Sequence, residues 1–224
     1  MKPPFVALVH MPKAGGTTLT DILRSVYGPR LLTAHPLRGW PQQWPPEFLT
    51  HIAQHRQDYD AFSGHAAYGI HELFGRETVY LSSVRDPVAR FESFYNFVQR
   101  STGHRYHEAT KGMGIGEFFR FLRERDDIEL FNIQCLMLCG RKDFETARDW
   151  VRDRYLAVAP LTRFPQVLAR VAQTLGWGDI AIPQSNRTEH KATVTELESG
   201  DLQELLAGNA ADQALVHYCE DLCG

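Results

Sequence analysis

VHMPKAGGTTL, residues 9–19, follows the apolar run Phe5-Val6-Ala7-Leu8 and leads into a segment whose apolar residues, Leu19, Ile22, Leu23 and Val26, recur at helical spacing. The order predicts a strand over Phe5–Met11, a loop, and a helix over Thr18–Tyr27 that Gly28-Pro29 stops. Lysine beside two glycines at such a turn suits an anion. Gly15 and Gly16 let backbone N–H groups come close, and the helix N-terminus adds the positive end of its dipole. Thr17 and Thr18 offer hydroxyl donors, and Lys13 a full charge. A Walker A loop places its lysine after the glycines, as G-x-x-x-x-G-K-[ST]. Here Lys13 stands ahead of them.

A second unit of the same kind lies further on. TVYLSSV, residues 78–84, begins as a strand should, with β-branched and aromatic residues. Arg85-Asp86-Pro87 then opens the helical stretch VARFESFYNFVQR. Arg85, at a strand end beside a helix start, can take a phosphate bidentately, and Ser93 on the helix adds a hydroxyl. Alone, Arg85-Asp86 reads equally well as a surface ion pair. Beside the first loop it points to a ligand with two separated anionic groups.

Two more strands are expected, over Asp60–Ser63, ending at Gly64-His65, and over Tyr155–Ala159. Helices are expected at about 46–57, 116–125, 128–138, 143–152, 163–175, from Ser199 onward and over Asn209–Leu222. Residues 33–50, with Trp40, Trp44 and several prolines, read as an irregular loop, and 101–116, rich in Gly, His and Thr, as a flexible one. Strands alternating with helices predict an α/β three-layer sandwich with a central parallel sheet and a P-loop-like strand–loop–helix anion site. One domain over 1–224 is expected, with C-terminal helices at about 199–222 packed on it. Ligands of such sheets bind beyond the carboxyl ends of the strands, where the Lys13 loop, His65 and Arg85 should converge.

Composition sets the outer limits. The chain has 224 residues, 43% hydrophobic and 23% charged, which suits a globular protein with a sizeable core. A formal net charge of −3 argues against a general nucleic-acid binder, so anion binding must come from a local basic cluster. The N-terminal apolar run is too short for a signal sequence, and no segment reaches the roughly 18 apolar residues of a spanning helix. A soluble, cytoplasmic protein without a membrane span is expected. Cys135, Cys139, Cys219 and Cys223 form two C-x3-C pairs in helix-like segments and read as buried thiols, ahead of a zinc site or a disulfide. His51 and His55 have the spacing of a metal pair but no evident third ligand, and read as a solvated helix face. No metal is expected.

PKAGGTT followed by RDPVARFESFY resembles the sulfotransferases that use 3′-phosphoadenosine-5′-phosphosulfate (PAPS), in particular the heparan-sulfate 2-O-sulfotransferase-like carbohydrate branch of bacterial type. The resemblance continues through Gly64-His65-Ala66-Ala67-Tyr68-Gly69, similar to that family's G-H-x-x-[FY]-G segment, and Asn132-Ile133-Gln134, similar to its N-x-Q helix. Leu161-Thr162-Arg163-Phe164 with Leu175-Gly176-Trp177, and Ser185-Asn186-Arg187-Thr188, resemble later family segments. Thr162 stands where the family often has glutamate, and Cys135 replaces a more usual polar residue.

The resemblance implies that Lys13, Gly15, Gly16, Thr17 and Thr18 grip the 5′-phosphosulfate, that Arg85 and Ser93 grip the 3′-phosphate, and that Asn186 and Thr188 close over the donor. Adenosine 3′,5′-bisphosphate (PAP) would be the product. Transfer would be in line to an acceptor hydroxyl, that of a carbohydrate first, with a tyrosine or small metabolite as alternatives. Lys13 would stabilise the departing bridge oxygen, and His65 would act as base, suited by a reference pKa of about 6.5. His10 and His71 are rival bases; His10 more naturally packs beneath the anion loop. Trp40, Trp44, Tyr68 and His71 are acceptor-side candidates, whereas Phe94 and Phe97 read as core. Two other classes stay open: a P-loop-like nucleotide kinase, which would need magnesium, and a non-catalytic nucleotide-binding module.

Overall fold

All residues of β1 (Phe5–Val9) are buried, which places the strand inside a sheet covered on both faces. The computed structural model describes residues 3–36, 43–181 and 193–223. Within them β1 runs parallel to β3 (Ala61–Gly64) on one side and to β4 (Thr78–Val84) on the other. β2 (Leu31–Thr33) adds to β3, and β5 (Tyr155–Pro160) to β4, giving the all-parallel order β2-β3-β1-β4-β5. The connection after β1 runs toward β2 and the one after β4 toward β5. Adjacent loops therefore part between β1 and β4, and such a switch point opens a crevice.

The alternation along β1 divides the core. Val6 and Leu8 face α1 (Gly16–Tyr27) and α9 (Phe164–Leu175). Phe5, Ala7 and Val9 face the other layer, built from α2 (Pro46–His55), α3 (His71–Phe74), α7 (Ile133–Cys139), α8 (Phe144–Arg154) and α11 (Ala210–Asp221). A third cluster joins α4 (Pro87–Arg100), α6 (Ile115–Arg123) and α10 (Ser199–Gly208) through Phe91, Phe94, Phe118 and Leu205. The expected three-layer α/β architecture is present. Asp86 caps α4 as its position before Pro87 suggests, accepting the Ala89 N–H at 2.8 Å.

Three local expectations change. β2 is an edge strand of three residues, too short to leave a periodic signal. Residues 101–116 hold a short helix, α5 (His107–Thr110), with His107 and Thr110 buried and His107 Nδ1 donating to the Val98 carbonyl at 2.8 Å. The apolar run at 128–138 becomes helical only from Ile133, because Asn132 takes a left-handed φ of 49°. All four cysteines are free thiols, three of them buried. Among the described residues no helix is long and apolar enough to cross a membrane, and no group of three or more His, Cys, Asp or Glu could hold a metal ion.

Gly64, the last residue of β3, lies so close beneath the β2 side of the sheet that a Cβ there would sit 1.9 Å from the Ala34 carbonyl oxygen. That obstacle is backbone and cannot swing aside. Gly64→Ala is expected to destabilise the protein by about 3 kcal/mol, lowering Tm by about 6–12 °C. An unchanged melting curve would show that the β2–β3 contact is looser than this.

Candidate functional site

The turn after β1 is unusual in its backbone. Lys13, with a Cβ, holds φ at 62°, and Gly15 holds 88°. A non-glycine residue in that region costs about 1 kcal/mol or more and persists only where the surroundings impose it. Gly16 is required for space, since a Cβ would come 2.2 Å from the His10 ring. His10 lies beneath the turn with its Nδ1 3.2 Å from Thr20 Oγ1, which donates to the Gly16 carbonyl at 2.9 Å and also meets Ser63 Oγ at 2.7 Å. Burial and the neighbouring His65, His35 and Lys13 push the His10 pKa down to about 3, so His10 is a neutral strut. α1 begins with no side-chain cap and no acidic residue in its first turn, leaving its dipole to attract whatever anion sits there.

Across the crevice stands the turn after β4. Arg85 Nη1 donates to the Lys13 carbonyl at 3.2 Å, so the two basic loops meet. The Lys13 ammonium rests 3.9 Å above the Phe97 ring of α4. Ser93, half-buried, lies one helical turn before Phe97, and Arg100 at the end of α4 lies one turn after it. Burial, then the charges of Arg100 and Arg85, lower the Lys13 pKa to about 8, with Glu129 acting the other way. Three cations gathered in a partly dehydrated crevice repel one another, and an anion placed among them relieves that repulsion.

On the other side of β1, His65 follows β3. Its Nδ1 lies 2.8 Å from the His10 carbonyl oxygen, which can only accept. Nδ1 therefore carries the proton, and the lone pair of the neutral ring lies on Nε2. The ring lies between His10, tilted to it at a centroid distance of 4.3 Å, and His35, stacked on it at 5.0 Å, and the His65 N–H donates to His35 Nδ1 at 3.2 Å. His65 keeps an exposed edge, yet the protein around it, followed by the charge of His35, lowers its pKa to about 4; the bond to His10 opposes this and Lys13 adds to it.

The structure thus brings Lys13, Gly15, Gly16, Thr17, Thr18, His65, Arg85 and Ser93 to one end of the sheet. It does not bring Tyr68 and His71 there. Tyr68 stacks on Tyr80 at 4.3 Å and contacts Tyr155, while His71 Nδ1 lies 2.7 Å from the Tyr80 hydroxyl. Tyr80 is early in β4 and Tyr155 opens β5, so this aromatic group sits toward the amino ends of the strands. Trp44 packs on Phe48 at 4.3 Å and on Phe62 at 5.9 Å, against the core. Trp40, Asn186 and Thr188 lie outside the described residues.

Three participants carried no clear signal in the sequence. Phe97 reads as core but is 36% exposed and seats Lys13. Arg100 could have been found from the shared helix face of positions 93, 97 and 100. His35, in a proline-interrupted loop, had no pattern to reveal it.

No family model matches the sequence, and no curated protein matches it. Among solved structures, a sulfotransferase from Alicyclobacillus acidocaldarius is similar over 100% of this chain and 96% of its own, with a TM-score of 0.52 at 16% identity. The chain has the sulfotransferase fold. The mouse sulfotransferase SULT7A1, in a crystal structure with PAP, gives a TM-score of 0.47 at 11% identity over 92% of this chain. The present chain spans 63% of the mouse chain's length. In this fold the turn that carries Lys13 joins β1 to α1 at the carboxyl end of the sheet.

Proposed function

We propose that the protein is a sulfotransferase that moves the sulfuryl group of PAPS to an acceptor hydroxyl, with a carbohydrate as the acceptor class. The observation that carries the reading is the meeting of two basic loops, Lys13 and Arg85, across the switch-point crevice. One anion site would suit any phosphate; two facing sites suit a nucleotide charged at both its 5′ and 3′ positions. The carbohydrate acceptor rests on the motif resemblance of Gly64–Gly69 and Asn132–Gln134.

In the reaction, the bond from sulfur to the 5′-phosphate oxygen breaks as a bond from sulfur to the acceptor oxygen forms, through a loose in-line transition state like that of phosphoryl transfer. Charge grows on the departing oxygen. Lys13 stabilises it there, together with the N–H groups around Gly15 and Gly16. The acceptor proton goes to His65 Nε2, whose lone pair is fixed by the Nδ1 bond to the His10 carbonyl. Arg85 and Ser93 hold the 3′-phosphate and so set the distance between donor and base. Asn186, Thr188 and Trp40 complete the proposed donor and acceptor contacts.

Thermal melting tests the donor. PAP at 100 times its Kd should stabilise the folded chain by about 2.7 kcal/mol, raising Tm by roughly 5–10 °C. Stabilisation by ATP with magnesium and none by PAP would replace this reading with a nucleotide kinase. PAP binding without sulfuryl transfer to any of a panel of sugar, tyrosine and small-molecule hydroxyls would leave a non-catalytic module.

A further inference from the structure

Arg85 stands where the sheet can no longer hold it. The ladder between β4 and β5 ends at the pair Val84 and Pro160, and proline has no N–H to offer. A backbone amide and carbonyl at this point need other partners. Gln134 supplies both: the Arg85 N–H donates to Gln134 Oε1 at 2.9 Å, and Gln134 Nε2 donates to the Arg85 carbonyl at 2.8 Å. A carboxamide has the donor and acceptor of a peptide group, so this side chain acts as a one-residue strand.

Gln134 is itself fixed from the far end of the chain. It is fully buried in the first turn of α7. Its own N–H and that of Cys135 donate to the two carboxylate oxygens of Asp212, at 3.0 and 2.8 Å. The Asp212 N–H donates in return to Asn132 Oδ1 at 3.1 Å, and the Asn132 N–H to Asn209 Oδ1 at 3.0 Å. The starts of α7 and α11 therefore cap each other. Burial pushes the Asp212 carboxyl above its usual range, and the Cys135 and Gln134 N–H groups and then the charge of Arg90 oppose this; the fully buried Arg90 donates Nη2 to the Glu129 carbonyl.

We propose that Gln134 is the positioning residue of the 3′-phosphate site: its carboxamide clamps the Arg85 backbone, through Asp212, so that the Arg85 guanidinium is aimed into the crevice. The inference rests on the PAPS reading above. It assigns Gln134 no contact with the nucleotide, only with the residue that makes one.

The test compares two nucleotides that differ by a single phosphate. In the wild-type chain PAP should bind at least tenfold more tightly than adenosine 5′-phosphate. Gln134→Met, which keeps length and loses both bonds, should weaken PAP about tenfold, the scale of one hydrogen bond to a charged group. Adenosine 5′-phosphate should change less than twofold. The double variant with Arg85→Ala should lose no more than Arg85→Ala alone. If Gln134→Met does not fold, Gln134→Asn keeps a carboxamide and adds no charge, but draws it one methylene back from the Arg85 backbone. It should reduce PAP affinity selectively as well. Equal weakening of both nucleotides, or unchanged PAP affinity, overturns the positioning role alone. A wild-type chain that does not distinguish the two nucleotides overturns the donor reading instead.

Discussion

Lys13→Ala is expected to lower kcat/KM for sulfuryl transfer by about 10²–10³-fold, the cost of removing one preorganised donor from a developing oxyanion. The expectation comes from the energy stored around this residue. Its backbone is held at φ 62°, and burial, with the charges of Arg100 and Arg85 added, lowers the pKa of its ammonium to about 8. Such a cation is repelled before reaction and gains most when negative charge appears beside it, which is differential stabilisation. The loss should therefore fall on kcat more than on PAP affinity. Lys13→Arg should not restore the rate: the guanidinium can stack on Phe97 as the ammonium does at 3.9 Å, but it spreads its charge over a planar fork where the departing oxygen calls for a compact point charge. A variant with full turnover would mean that the backbone N–H groups and the helix dipole carry the leaving group alone.

His65→Ala is expected to reduce turnover by about 10²–10⁴-fold while PAP binding stays within a few-fold of wild type. The pH profile gives a finer test. A base works only when neutral, so kcat/KM should fall as pH drops through its pKa. For His65 that limb belongs near 4 rather than near 6.5, because burial and His35 disfavour the imidazolium. On the alkaline side, activity should decline as Lys13 loses its proton near pH 8. The bell in kcat/KM, which reports the free enzyme, should thus span about 4 to 8. An acid limb near 6.5 that persists in His65→Ala would move the base role to another histidine.

The parts of this site that were legible in the sequence are those where backbone chemistry dictates residue type. Two glycines after a strand, an Asp-Pro helix start and an arginine at a strand end each follow from local geometry, and the sheet brings their loops together as parallel topology requires. What stayed hidden depends on tertiary contact. Phe97 has the spacing of a core residue, and only the approach of the Lys13 turn makes it a seat for a cation. Tyr68 and His71 follow His65 closely, yet the chain turns back after His65 and packs them on Tyr80 and Tyr155. β2 escaped notice because three residues on a sheet edge need no pattern of their own once β3 supplies the ladder.

The reciprocal caps of Asn132 and Asp212 also have a consequence in time. The support of Arg85 passes through Gln134, 49 residues on, and from there to Asp212, a further 78 residues on. Closing contacts over such distances is slow relative to forming the neighbouring helices. As the chain leaves the ribosome, the Lys13 turn has its neighbours, Phe97 of α4 and, beside Gly15, Leu161 and Phe164, once the start of α9 is out. The Arg85 turn gains its last brace only after residue 212 has emerged and α11 has docked. The half of the crevice that would grip the 5′ end of the nucleotide therefore has its neighbours before the half for its 3′ end does.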